Sequence, residues 1–119
     1  GDIEKKCMEI AGQLGHELSC FQSNAEHELI DRVQQAAVNE VKYIILNPGG
    51  FTHTSVALRD ALLAVKIPFT EIHLSNTFAR EEFRKNSYFS GIAENCLFGF
   101  GAYGYELALR SACQSIGID

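Results

Sequence analysis

The sequence predicts an α/β fold in which a parallel sheet carries helices on both faces, and three observations predict it. Short apolar runs of strand length alternate with apolar stripes at three- and four-residue spacing. The run Tyr43-Ile44-Ile45-Leu46 is apolar throughout, as in a strand buried on both faces, and it stops at Asn47-Pro48-Gly49-Gly50. The segments between the runs are long enough for the crossover helices that parallel strands require.

Each element has its own signal. Ile3, Cys7, Ile10, Ala11 and Leu14 form a helical stripe ended by Gly15, and a strand is expected over 16–22, where Leu18, Cys20 and Phe21 fall. Ser23-Asn24 offers a turn and cap before a second stripe of Leu29, Ile30, Val33, Ala36 and Ala37. After the strand over 43–46, a helix is expected over 54–65, a strand over 68–74 and a short helix over 79–85. A strand over 96–98 and a final helix over 102–115 complete the alternation.

A chain of 119 residues makes one domain, 1–119, and its 46% hydrophobic and 21% charged residues belong to a protein with a real core. The net charge of −5 gives no footprint for a phosphate backbone, so nucleic acid is not an expected partner. No apolar run approaches the length of a membrane span, and the acidic start lacks a signal-peptide pattern. Cys7, Cys20, Cys96 and Cys113 include no close pair of the kind structural zinc uses, and three of them sit among apolar neighbours as ordinary buried thiols do. A cytoplasmic location is expected.

In parallel α/β sheets ligands bind beyond the carboxyl ends of the strands, which directs attention to 23–24, 47–55, 73–84 and 99–104. Gly99-Phe100-Gly101-Ala102-Tyr103-Gly104 has the spacing of a dinucleotide fingerprint, but too little chain follows it to supply another strand with an acidic ribose ligand. Its glycines are read as a tight turn with close packing. The loop 47–55 places Asn47, His53 and three hydroxyls after a buried strand. Thr52 and Thr54 could serve simply as caps there. A hydrolase triad of His53, Ser55 and Asp60 has no nucleophile elbow behind it, and zinc on His53, His73 and a carboxylate has no matching ligand spacing.

Glu71 and His73 stand two apart on a strand and share a face, so the carboxylate can fix the tautomer of the imidazole or raise its pKa, an arrangement suited to a general acid. Arg80 and Arg84 fall one helical turn apart and can hold a carboxylate or hydroxyl. With Asn47, His53 and Ser75 at the same edge, the pocket suits a small polyhydroxylated acid.

These residues lie in long ordered motifs: Phe21-Gln22-Ser23-Asn24, the stretch from Ile45 through Asn47-Pro48-Gly49-Gly50-Phe51-Thr52-His53-Thr54-Ser55 to Ala61, Glu71-Ile72-His73-Leu74-Ser75-Asn76, Ala79-Arg80-Glu81-Glu82-Phe83-Arg84, Ser87-Tyr88 and Gly99-Phe100-Gly101 with Gly104-Tyr105. In them the chain resembles the type II 3-dehydroquinate dehydratases, small flavodoxin-like enzymes of the shikimate and quinate pathways. The resemblance implies an anti elimination of water from 3-dehydroquinate to 3-dehydroshikimate through an enolate, with neither cofactor nor metal. It implies that His73 protonates the departing C1 hydroxyl, that Asn47, His53 and Arg84 hold hydroxyls, and that the amides of Leu74 and Ser75 receive the carboxylate. It further implies that Asp60 reaches a neighbour's site in a trimer, four trimers forming a dodecamer. The family's opening strand, with the Asn-Gly-Pro-Asn-Leu-Asn segment and the lid carrying the basic tyrosine and an arginine, is not found before Gly1, so no residue is assigned as the base. A sheet without that strand is expected to be unstable on its own. The alternative reading is a catalytically incomplete flavodoxin-like module that binds a small acid.

Overall fold

The computed structural model describes residues 1–79 and 86–117, and of Phe78 the backbone only. Three parallel strands, β1 (Ile44–Leu46), β2 (Phe69–His73) and β3 (Asn95–Phe98), pair in the order β1-β2-β3. Ile44 faces Phe69 and Leu46 faces Glu71 in the first ladder, and Glu71 faces Cys96 and His73 faces Phe98 in the second. Among the described residues four α-helices cover the sheet: α1 (Asp2–Gln13), α2 (Glu26–Val38), α3 (Val56–Val65) and α4 (Tyr103–Ile116).

The alternation of side chains along the strands gives each face of the sheet its own core. On one face Leu46 and Phe69 pack with Val33 of α2, with Leu58, Ala61 and Leu62 of α3, and with Phe89. On the other, Ile45 meets Cys7, Ile10 and Ala11 of α1 and Leu109 and Cys113 of α4. The all-buried pattern of β2 follows from its central place, with a neighbour on each edge and a helical layer on each face.

Gly15 stops α1 as expected: it adopts φ +83°, and the amides of Gly15 and His16 bond back to Gly12 and Ala11 at 3.2 and 2.8 Å. The expected strand over 16–22 does not form. A strand exists only through a ladder partner, and the three described strands pair only with one another. The cap of α3 is Ser55, whose hydroxyl accepts from the amide of Leu58 at 3.0 Å, and not Thr52 or Thr54. Ala25 caps α2 without a side-chain bond, while Ser23 Oγ accepts from its amide at 3.0 Å. Thr77–Ala79 is a single 3₁₀ turn, and the rest of the helix expected over 79–85, with Arg80 and Arg84, lies outside the described residues. Two cysteines, Cys7 and Cys113, are buried rather than three, because Cys96 sits on β3, a strand paired along one edge only among the described elements.

The glycine pattern after β3 makes a turn and a close packing. Gly99 and Gly101 take φ +85° and +57° and donate to the carbonyls of His73 and Leu74 at 3.1 and 2.7 Å, which fixes the end of β2. Gly104 lets α4 settle on the sheet: a Cβ there would meet Ile72 Cδ1 at 3.0 Å and Leu97 Cδ2 at 3.2 Å. At the opposite end of the sheet Tyr43, Thr70 and Asn95 bond in a row across the strands, at 2.8 and 2.6 Å. Burial there, with a bond to Glu94, pushes the Tyr43 phenol up to about 12.

Candidate active site

The carboxyl end of β2 carries a buried carboxylate bonded to an imidazole. Glu71 is wholly buried and His73 nearly so, on the same face of the strand because they are two residues apart. His73 donates from Nε2 to Glu71 Oε2 over 2.7 Å. Since a carboxylate only accepts, this bond keeps a hydrogen on Nε2 in the neutral and the protonated ring alike and leaves Nδ1 as the nitrogen that Glu71 does not engage.

A fully buried carboxylate needs donors, and three hydroxyls supply them. Thr52, from the 3₁₀ turn Gly49–His53 after β1, donates to Oε2 at 2.8 Å. Ser87 donates to Oε2 at 2.7 Å and Ser90 to Oε1 at 2.5 Å. Burial alone would raise the Glu71 pKa, but the bonds from His73, Ser90, Ser87 and Thr52 outweigh it and hold the group at about 2, below its ordinary 4.5. The group is therefore an anion at neutral pH.

The loop after β1 and the segment 86–90 are joined directly. Tyr88 donates its amide to the carbonyl of Thr52 at 2.9 Å, and His53 Nδ1 donates to the carbonyl of Asn86 at 2.6 Å. Arg59 of α3 adds a bond from Nε to the carbonyl of Tyr88 at 3.1 Å. On the other side of the loop, Asn47 donates to the Tyr105 hydroxyl at 2.9 Å and accepts from the Gly49 amide at 3.2 Å, so its side-chain amide has a fixed direction.

The site thus unites Glu71 and His73 with Thr52, Ser87 and Ser90, and sets His53, Leu74 and Ser75 in the adjoining loops. Asp60 stands apart, its side chain 66% exposed beside Arg59 on α3. The triad of His53, Ser55 and Asp60 does not assemble, since Ser55 is spent as a buried cap and Asp60 points to solvent. Arg84 lies outside the described residues. Among the described residues no three His, Cys, Asp or Glu side chains converge as a metal site would need. No described helix is long and apolar enough to cross a membrane. Sequence reasoning missed the roles of Thr52, Ser87 and Ser90, for which the only signal was that a buried Glu must find donors somewhere.

A parallel sheet with a buried carboxylate and imidazole at the carboxyl end of its middle strand defines an α/β enzyme equipped for proton transfer. The dehydroquinase class II family profile matches residues 1–113. The chain belongs to that family. It is 60% identical over 111 residues to the 3-dehydroquinate dehydratase of Polynucleobacter asymbioticus, covering 93% of this chain and 74% of that protein. The same enzyme of Marinobacter nauticus is 56% identical over 115 residues, covering 97% and 79%. Among solved structures, the type II dehydroquinase of Propionibacterium acnes superimposes with a TM-score of 0.88 at 33% identity, covering 95% of this chain and 77% of that one. The type II dehydroquinase of Butyrivibrio crossotus gives 0.89 at 37%, covering 93% and 77%. The flavodoxin-like fold expected from the motifs is the fold of these neighbours.

Proposed function

We propose that the protein is a hydro-lyase that converts 3-dehydroquinate to 3-dehydroshikimate, with His73 as the general acid. The observation that carries the reading is the buried bond from His73 Nε2 to Glu71 Oε2. It holds Nε2, so the acid is the protonated ring, which delivers the proton on Nδ1 and keeps the one bonded to Glu71. In the elimination a base removes the proton beside the ketone, the electron pair passes into an enolate, and the enolate collapses to expel the C1 hydroxyl. That hydroxyl takes a proton from His73 and departs as water. No residue of this sequence is assigned as the base.

Asn47, His53 and Arg84 hold substrate hydroxyls in this reading, and the amides of Leu74 and Ser75 receive the carboxylate. The fixed amide of Asn47, tied to Tyr105, supports its part. Asp60 serves a neighbouring subunit in a trimer, and four trimers form a dodecamer. In support, Val56 and Leu63, 52% and 45% exposed, lie on the same helical stripe as Asp60, an apolar border of the kind subunit contacts cover. A cytoplasmic location accords with four free thiols.

The test is direct: the full-length protein is given 3-dehydroquinate and the conjugated enone of the product is followed by its absorbance. Turnover is expected. Binding of the substrate without turnover would replace this reading with that of a small-acid binding module.

A further inference from the structure

The two oxygens of Glu71 are held by different groups. Oε2 takes the bonds from His73, Thr52 and Ser87, at 2.7, 2.8 and 2.7 Å. Oε1 is met by Ser90 Oγ at 2.5 Å and by the thiol of Cys96 at 3.6 Å. A carboxylate turns about a soft torsion, so donors gathered on one oxygen leave it free to pivot about that point. A thiol at that distance is a weak restraint. Ser90 is therefore the one strong anchor, among the described residues, on the second oxygen.

The placement of Ser90 is itself built. Ser87 Oγ donates to Glu71 and also accepts from the amides of Phe89 and Ser90, at 2.9 and 3.2 Å, while Phe89 is fully buried in the core against α2 and α3. This turn aims the Ser90 hydroxyl at the carboxylate, although the residue as a whole is exposed.

We propose that Ser90 is a positioning residue for the dehydration: by clamping Oε1 it fixes the plane of the Glu71 carboxylate and, through it, the orientation of the His73 imidazole. The inference rests on the reading of His73 as the general acid. Ser90 touches no reacting atom; its effect passes through Glu71.

In the full-length protein, Ser90→Ala should lower kcat by about 10- to 100-fold, the scale of a misplaced catalytic group, with KM nearly unchanged. A merely structural role would not move the titration of Glu71, so the side-chain carboxyl carbon of Glu71 is followed by NMR without substrate, with His73 and Cys96 as the titratable neighbours facing it. The midpoint should rise in Ser90→Ala, and Ser90→Thr, which keeps the hydroxyl, should restore both midpoint and kcat. An unchanged kcat, or a reduced kcat with an unmoved Glu71 midpoint, overturns the proposal. If Ser90→Ala does not fold, the wild-type protein decides: the Ser90 hydroxyl proton should exchange slowly and resonate at low field, and fast exchange overturns the proposal. These NMR measurements need no substrate. A wild-type protein that fails to dehydrate 3-dehydroquinate would thus sink the functional reading while the link from Ser90 to Glu71 is judged separately.

Discussion

The ring of Phe98 lies parallel to the imidazole of His73, with centroids 5.1 Å apart and an interplanar angle of 3°. The two residues face each other across the ladder between β2 and β3, so the register of the sheet makes the stack. Gripped in its plane by Glu71 and over its face by Phe98, the imidazole is held in one orientation, and for the general acid proposed above such pre-set geometry would lower the cost of reaching the transition state.

Replacement of His73 by Ala should reduce turnover by about 10²- to 10⁴-fold, the usual share of a positioned proton donor. Substrate binding should suffer less. Steady-state kinetics on the enone absorbance check this, and near wild-type turnover in the variant would remove His73 from the role.

Stability should depend on pH through Glu71. Its folded pKa, about 2, lies below the ordinary 4.5, so the unfolded chain binds the proton first as pH falls. The contribution is complete above 4.5 and is lost on descent toward 2. Urea unfolding at a series of pH values should show a steep loss over that window for the wild type and a shallower one for Glu71→Gln, which starts less stable. Parallel curves would show that Glu71 is not the linked group.

The proposed sharing of Asp60 between subunits predicts complementation. Asp60→Ala and His73→Ala should each be nearly inactive, yet refolded together they should recover activity, since about a quarter of the mixed sites would be intact. Absence of recovery in mixed oligomers, or a fully active monomer in sedimentation, would place Asp60 outside any shared site.

At Gly104 the added methyl of Ala would press on Ile72 and Leu97. Overpacking of about 1–3 kcal/mol outweighs a helix-propensity gain of about 1 kcal/mol. Gly104→Ala should therefore lower the denaturant midpoint modestly, and a stabilised variant would show that α4 has room to move away.

The sequence revealed whatever depends on local pattern. The stripes of α1 and α2 and the apolar run of β1 were visible because burial imposes a period on neighbours in the chain. Glu71 and His73 were visible as a pair for the same reason, being two apart on a strand. The strand expected over 16–22 failed because its composition suits a strand but pairing is supplied from elsewhere. Thr52 looked like a cap because capping is local, whereas its partner Glu71 is 19 residues away. Ser87 and Ser90 approach that carboxylate only once the turn before β3 folds back over β2. The strength of the Glu71 ionisation was hidden, since it depends on how three hydroxyls distant in the chain, with His73, balance burial.

Phe69, Glu71 and His73 share one side of β2, while Ile72, on the other side, lies against Gly104 of α4. A slip of one residue in either ladder would exchange these sides, turning Glu71 and His73 toward α4 and bringing Ile72 to the hydroxyls of Thr52, Ser87 and Ser90. Folding errors in this strand and loss of chemistry are then a single event. In a refolded preparation, catalytic rate per mole of chain would count the molecules whose middle strand has the right parity, so that turnover itself becomes an assay of sheet registration.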